Sequence, residues 1–122
     1  QDINVIGICL GMQILFDYSE EGDCAGLGIL KGRVKRFEGK ECHVGWNIAS
    51  ASHDHFISGD SGYYFNHSYY VDCAADVTVA TSRYQFDFPV MVKQNKFYGV
   101  QFHPEKSQNN GLQLINNLVR AN

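Results

Sequence analysis

The sequence predicts one α/β domain built on a mixed, mostly parallel sheet flanked by helices. Three observations carry this. Residues 3–8 form a β-branched, nearly all-apolar run, which suits a strand buried on both faces of a parallel sheet. The chain closes in an amphipathic helical pattern. Strand-like segments and glycine-bearing turns fill the middle.

The elements follow in order. After the first strand, Leu10, Ile14, Leu15 and Tyr18 recur at three- and four-residue spacing, predicting a helix. Residues 19–28 hold three glycines and three acids and predict a loop. Residues 32–37 read as a strand in which Val34 and Phe37 alternate imperfectly with basic residues. Residues 39–62 are rich in glycine, serine and histidine, with short strands at best. Residues 63–71 are a strand candidate broken near a polar centre, and residues 77–81 are another. Residues 90–92 and 97–102 flank Gln94-Asn95-Lys96 as a hairpin. The last helix carries Leu112, Ile115 and Val119 on one stripe with Leu114 and Leu118 beside it, and Ser107 is its expected N-cap.

Bulk properties narrow the function. A chain of 122 residues forms one small domain with one core. Its net charge of −3, without a basic block, argues against nucleic acid as the main partner. No apolar run approaches the roughly 20 residues a membrane helix requires. The first ten residues lack a signal peptide's basic region and cleavage motif. Cys9, Cys24, Cys42 and Cys73 form no C-x-x-C pair, so no zinc ribbon or thioredoxin motif is expected and the compartment reads as reducing and cytoplasmic. Because the chain starts at Gln1 and enters its most apolar stretch at once, further sequence is expected upstream.

Gly7-Ile8-Cys9-Leu10-Gly11 has the form G-x-C-x-G between a strand and a helix, the cysteine version of a nucleophile elbow. Such a turn crowds the backbone, asks for small residues two before and two after the nucleophile, and lifts the side chain above the sheet. The helix N-terminus then lies under the sulfur and favours a thiolate, and the Leu10 N–H is placed to donate to an oxyanion. A glycine turn holding a buried structural cysteine would show the same five residues. Gln13, one helical turn along the same face, favours the nucleophile.

A thiol nucleophile needs a base, and the base needs an orienter that fixes its tautomer. Val100-Gln101-Phe102-His103-Pro104-Glu105 supplies both at the end of a strand. Pro104 biases His103 toward extended backbone, so His103 and Glu105 project to one side. Two other clusters are declined. His53-Asp54-His55 lacks a third ligand for a metal. Cys42 and His43 are neighbours that point apart in an extended segment. Without a Walker motif or G-x-G-x-x-G no nucleotide site is expected.

These residues together resemble the triad-type, class I glutamine amidotransferases. Gly7-Ile8-Cys9-Leu10-Gly11-Met12-Gln13 and Gly99-Val100-Gln101-Phe102-His103-Pro104-Glu105-Lys106-Ser107 are close to that family's signatures, in the same order, and the resemblance covers essentially the whole chain. Within the family it is strongest to the glutaminase subunits of imidazole glycerol phosphate synthases. The residues that carry this are Ser19-Glu20-Glu21-Gly22, Gly26-Leu27-Gly28, Gly32-Arg33-Val34, His43-Val44-Gly45-Trp46-Asn47 and Tyr64-Phe65-Asn66-His67-Ser68-Tyr69-Tyr70.

The resemblance implies a flavodoxin-like domain, with residues 1–122 as its C-terminal portion and the first strands and a glycine-rich oxyanion strand absent. The chain alone is then expected to be catalytically poor. It implies that Cys9 attacks the glutamine amide to form a thioester, that His103 protonates the leaving ammonia and activates water, and that Glu105 orients His103. Leu10, Gln13, Glu21, His67, Ser68 and Tyr69 would surround the substrate. No cofactor or metal is implied. The implied partner is a (β/α)8-barrel cyclase, joined as a heterodimer, which receives ammonia through a tunnel and makes imidazole glycerol phosphate for histidine synthesis. Trp46, Asn47 and Lys106 would lie near that interface, with a core role as the alternative for Trp46. Three other readings stay open: another acceptor such as a surface sugar, a non-catalytic scaffold of the same fold, and a cysteine hydrolase of other amides. Against the last, Gln13 and Glu21 argue for free glutamine.

Overall fold

A computed structural model of the chain describes residues 3–39, 41–51, 57 and 60–120. The His53-Asp54-His55 motif lies outside the described residues. The elements are β1 (Val5–Ile8), α1 (Leu10–Gln13), β2 (Tyr18–Ser19), β3 (Cys24–Ala25), β4 (Gly32–Arg36), β5 (His43–Ala51), β6 (Asp60–His67), β7 (Tyr69–Cys73), β8 (Thr78–Tyr84), β9 (Phe86–Gln94), β10 (Phe97–Val100) and α2 (Gln108–Arg120). Single 3-10 turns cover Ala75–Val77 and Pro104–Lys106.

The strands form two sheets, ordered β1-β10-β9-β8-β5-β6 and β3-β2-β4-β7. The class is α/β with a mixed sheet, as expected, but the balance differs. Among the described strands parallel pairing is confined to β1–β10 and β2–β4, and every other pair is antiparallel. Tight turns join β8 to β9 and β9 to β10, and a parallel pair needs a long crossover that such turns do not provide. Asn95-Lys96 makes the expected hairpin turn, with Phe97 opposite Gln94 and Asn95 at φ 56°.

The break expected within residues 63–71 falls at Ser68 and proves to be a change of sheet. β6 ends the large sheet at His67, and β7 starts in the small sheet at Tyr69. The long sheet curls until the edge of β6 returns to the segment after β10, where the His103 N–H donates to the Tyr64 carbonyl at 2.9 Å. Inside the curl sits an aromatic core that includes Phe37, Phe65, Phe88 and Phe102, closed from outside by Leu114 and Leu118 of α2. A second cluster, Met12, Leu15, Phe16, Leu30, Val34 and Val71, joins the small sheet to the elbow region.

Several expectations are corrected. Residues 39–62 hold more than short strands: β5 runs for nine residues and pairs along its length with β6. β1 is not buried on both faces, because it pairs only with β10 among the described strands, and Ile3, Val5 and Ile8 are exposed. The first helix stops at Gln13 rather than reaching Tyr18. The carbonyls of Ile14, Leu15 and Phe16 are taken by N–H groups of Leu27, Gly28, Ile29 and Leu30 in the following loop. Gly26 makes that approach possible, since a Cβ there would meet the Phe16 carbonyl oxygen at 2.0 Å. In α2 the buried positions are Gly111, Leu114 and Leu118, whereas Leu112 and Val119 are 62% and 61% exposed. Ser107 precedes α2 as expected, and its carbonyl accepts from the Gly111 N–H at 3.3 Å. Its hydroxyl donates to the His103 carbonyl at 2.6 Å and accepts from the Tyr64 N–H at 2.9 Å.

Candidate active site

The elbow forms because β1 and β10 run parallel, with Ile8 beside Val100 and the Cys9 N–H donating to the Val100 carbonyl at 2.7 Å. Cys9 then turns sharply, at φ 56° and ψ −107°, a strained conformation for a residue with a Cβ. Gly7 is required by crowding, since a Cβ there would meet the Gly11 carbonyl oxygen at 2.3 Å. Gly11 is not required in the same way, because a Cβ there meets nothing within 4 Å. The expected support from a helix dipole is also reduced: α1 has four residues, so few peptide units align beneath the sulfur.

Burial pushes the Cys9 thiol above its ordinary pKa, and the charges of Glu105 and Glu21 add to this. The Leu10 N–H and the Gln101 side chain act in the opposite direction. Gln101 is completely buried, and its Nε2 donates to Cys9 Sγ at 3.6 Å. In the sequence Gln101 is visible only within a signature, as one amide at the end of an apolar strand.

His103 leaves β10 at the same end of the parallel pair as Cys9 leaves β1. Its backbone is extended, at φ −101° and ψ 99°, as Pro104 dictates. The Glu105 carboxylate lies 2.8 Å from His103 Nδ1. A carboxylate only accepts, so Nδ1 carries the proton and the Nε2 lone pair is available to take one. Partial desolvation raises the Glu105 pKa, but its own backbone N–H and His103 outweigh this, and the carboxyl sits below the usual range.

Cys9, Leu10 and Gln13 from the elbow, Glu21 from the β2–β3 loop, and His67, Ser68 and Tyr69 from the β6–β7 bend line one cavity of about 420 Å³. Arg36 and Asn66, not singled out in the sequence, complete it. Gln13 is less free than expected: its Nε2 is shared between the Tyr69 carbonyl at 3.2 Å and Gln101 Oε1 at 3.0 Å. Only its Oε1 is left for a ligand. Ser68 lies against Cys42, with Oγ 2.9 Å from Sγ.

His67 belongs to a buried pair missed in the sequence. His67 Nε2 faces His43 Nδ1 at 2.8 Å, and His67 Nδ1 faces the Tyr69 carbonyl at 2.6 Å. Burial pushes both imidazoles down to about 4.

The three residues expected near a partner separate by face. Trp46 is not a core residue. It is 54% exposed, packs edge-on against Tyr64, and lies on β5 with exposed Val44 and Ile48 at alternate positions. Lys106 is exposed in the turn after His103. The Asn47 side chain instead serves the chain itself, with Nδ2 3.0 Å from His43 Nε2 and 2.9 Å from the Arg83 carbonyl.

The family model for "Glutamine amidotransferase class-I" matches residues 1–121. The chain belongs to the class I glutamine amidotransferases. This amidotransferase chain is 45% identical to the imidazole glycerol phosphate synthase subunit HisH of Nitrosospira multiformis, over 94% of its own length and 61% of the relative's. It is 41% identical to HisH 1 of Methanococcus maripaludis and 38% identical to HisH of Staphylococcus aureus, over 98% of its length and 63% and 62% of theirs. The chain thus spans about six-tenths of the length of these curated relatives. Two solved structures, a glutamine amidotransferase and PurLQS from Thermotoga maritima, each align with a TM-score of 0.70. They cover 96% and 97% of this chain and 59% and 61% of theirs, at 21% and 18% identity, and speak for the amidotransferase fold alone.

Proposed function

We propose that this chain is the C-terminal, triad-bearing portion of a glutaminase that releases ammonia from glutamine for a cyclase partner in histidine biosynthesis. The observation that carries the proposal is the meeting of two elements at one end of the β1–β10 pair. The strained turn presents Cys9 to a cavity, and His103, paired with Glu105, follows the adjacent strand at the same end of the sheet, although neither His103 nor Glu105 is among the residues that line that cavity. The curated relatives named as imidazole glycerol phosphate synthase subunits support the pathway. Their greater length, and the outer edge of β1, which has no strand partner among the described residues, support the reading of residues 1–122 as part of a larger domain.

In this reading Cys9 gives its proton to His103 Nε2 and the thiolate attacks the amide carbon. His103 passes the proton to the departing nitrogen as the C–N bond breaks, leaving a thioester and ammonia. Water attacks the thioester with His103 as base, the C–S bond breaks, glutamate leaves, and His103 returns the proton to the Cys9 sulfur. Each step moves one proton through one imidazole whose tautomer Glu105 holds. Glu21 suits the substrate's ammonium group, while the Leu10 N–H faces the developing oxyanion. The exposed Val44, Trp46 and Ile48 stripe, with Lys106, is assigned to the barrel partner of a cytoplasmic heterodimer. Lyase chemistry belongs to that partner.

The test is Cys9→Ala in the full-length parent. Glutaminase turnover falls by more than about a thousandfold, while binding to the cyclase, followed by calorimetry, is unchanged. Ammonia release at the parent rate would remove the nucleophile from the scheme.

A further inference from the structure

Cys9 needs help to ionise. Burial raises its pKa, two carboxylates raise it further, and the four-residue helix behind it supplies little dipole. The fold places one buried side-chain amide against the sulfur, and a continuous set of hydrogen bonds decides which end of that amide points there.

The directions follow from elementary chemistry. The Tyr69 carbonyl only accepts, so His67 Nδ1 carries a proton. Neutral His67 then has a bare Nε2, which accepts from His43 Nδ1–H. His43 Nε2 is bare in turn and accepts from Asn47 Nδ2, whose other N–H goes to the Arg83 carbonyl. The Ile48 N–H donates to Asn47 Oδ1 at 2.7 Å and fixes that amide. At the other end the Tyr69 carbonyl accepts from Gln13 Nε2, which also donates to Gln101 Oε1. Gln101 therefore has its oxygen occupied and its Nε2 turned to Cys9 Sγ. Flipping it would set two NH₂ groups against each other and turn an oxygen toward the sulfur. The Cys9 thiol meanwhile lies 3.9 Å from the Asn66 carbonyl, on which its own proton rests.

Resting on the proposed function, we propose that Gln101 is a catalytic residue that stabilises the Cys9 thiolate through its side-chain N–H, and that Gln13, His67, His43 and Asn47 are positioning residues that keep that N–H aimed at the sulfur. The histidine leg and Gln13 both donate to the Tyr69 carbonyl, so Gln13 sets the direction of the Gln101 amide while the leg through His67, His43 and Asn47 holds that carbonyl in place, and a break in the leg loosens the final bond. A break at His43 or Asn47, neither of which lines the cavity, leaves the cavity wall in place.

The experiment reads the sulfur directly. In the full-length protein, the rate of Cys9 alkylation by iodoacetamide is followed against pH by peptide mass spectrometry, beside kcat and KM for glutamine. Gln101→Leu keeps the volume and removes the donor. Its alkylation midpoint moves up by about one unit, so the rate at pH 7 falls about tenfold, and kcat falls with little change in KM. Gln101→Glu, which sets an anion against the sulfur, moves the midpoint further. His43→Phe moves it the same way by a smaller step. Leaving Gln13 unpaired carries a folding cost, so Gln13→Leu/Gln101→Leu removes both partners of the buried bond and gives the same alkylation readout. An unchanged midpoint in the folded single or double variant overturns the role of Gln101, even if turnover is lost. A parent-like midpoint in His43→Phe overturns the positioning chain. Neither result bears on whether Cys9 is the glutaminase nucleophile, which Cys9→Ala decides separately.

Discussion

At the scale of single residues, the site depends on proton placement more than on charge. Glu105 pins the His103 tautomer through one bond, while the oxyanion donor and cavity wall come from elsewhere. Glu105→Gln presents an amide that can turn its NH₂ to the imidazole and stabilise the wrong tautomer. We predict that kcat falls by at least about a hundredfold while KM changes little. Steady-state kinetics of the full-length protein check this, and a kcat within twofold of the parent would show that His103 is oriented by something else. The three residues proposed as the triad could be picked out in the sequence because each signal is local: a cysteine in a glycine turn, and a histidine and a carboxylate spaced about a proline. Gln101 and the His43–His67 pair could not, because each acquires meaning only through partners far along the chain. Gln101 meets a sulfur 92 positions away, and His43 meets His67 across paired strands.

At the scale of elements, the same division holds. Periodicity marked β4, β7 and the β9–β10 hairpin, whose signals lie within a few residues. It overran α1 because the groups that end that helix come from residues 27–30. It underrated β5 because Gly45, at φ 117°, and the polar Asn47 obscure a strand whose order comes from β6 and β8. The elbow gives a sharp test. Gly7→Ala puts a methyl into the Gly11 backbone and should cost about 3 kcal/mol. Gly11→Ala meets open space in a helical position and should be neutral or stabilising by up to about 1 kcal/mol. Chemical denaturation of the two variants separates them, and equal losses would contradict the packing described.

The β5–β6 pair makes stability depend on pH. His43 and His67 are held neutral, with pKa values near 4 against an ordinary 6.5, among the rings of Tyr84, Phe65, Phe88 and Phe37 and with His103 nearby. Between those values the unfolded chain binds protons that the folded chain does not. This contribution is therefore intact above about pH 6.5 and declines as pH falls toward 4, by an amount on the order of a few kcal/mol. Thermal melts should shift to lower temperature from pH 7.5 to pH 5, and His67→Gln should flatten the slope. A parent protein with an unchanged melting temperature across that range would show that the pair ionises freely.

At the scale of the whole molecule, two surfaces stand out. One is the Val44, Trp46 and Ile48 stripe on β5. The other joins the outer edge of β1 to Leu112 and Val119 of α2, with a groove between them lined by Ile8, Leu112 and Ile115. An unpaired strand edge beside apolar side chains promotes self-association. We predict that the isolated 122-residue chain sediments as more than a monomer, and that Leu112→Glu/Val119→Lys returns it toward monomer. A monodisperse parent chain would contradict this. The sequence showed that α2 was amphipathic but did not show which stripe faces the core. Leu114 and Leu118 win because they share a face with Gly111, where the helix meets the Pro104 carbonyl too closely for any side chain.

The central claim is that the sulfur on the strained turn is the group that attacks glutamine. Treating the full-length protein with a diazoketone analogue of glutamine and mapping the adduct by mass spectrometry tests it most directly. The account predicts one equivalent of label on Cys9, none on Cys24, Cys42 or Cys73, and protection by glutamine. Label on one of those three, or an unmodified Cys9 in the inactivated protein, would contradict it.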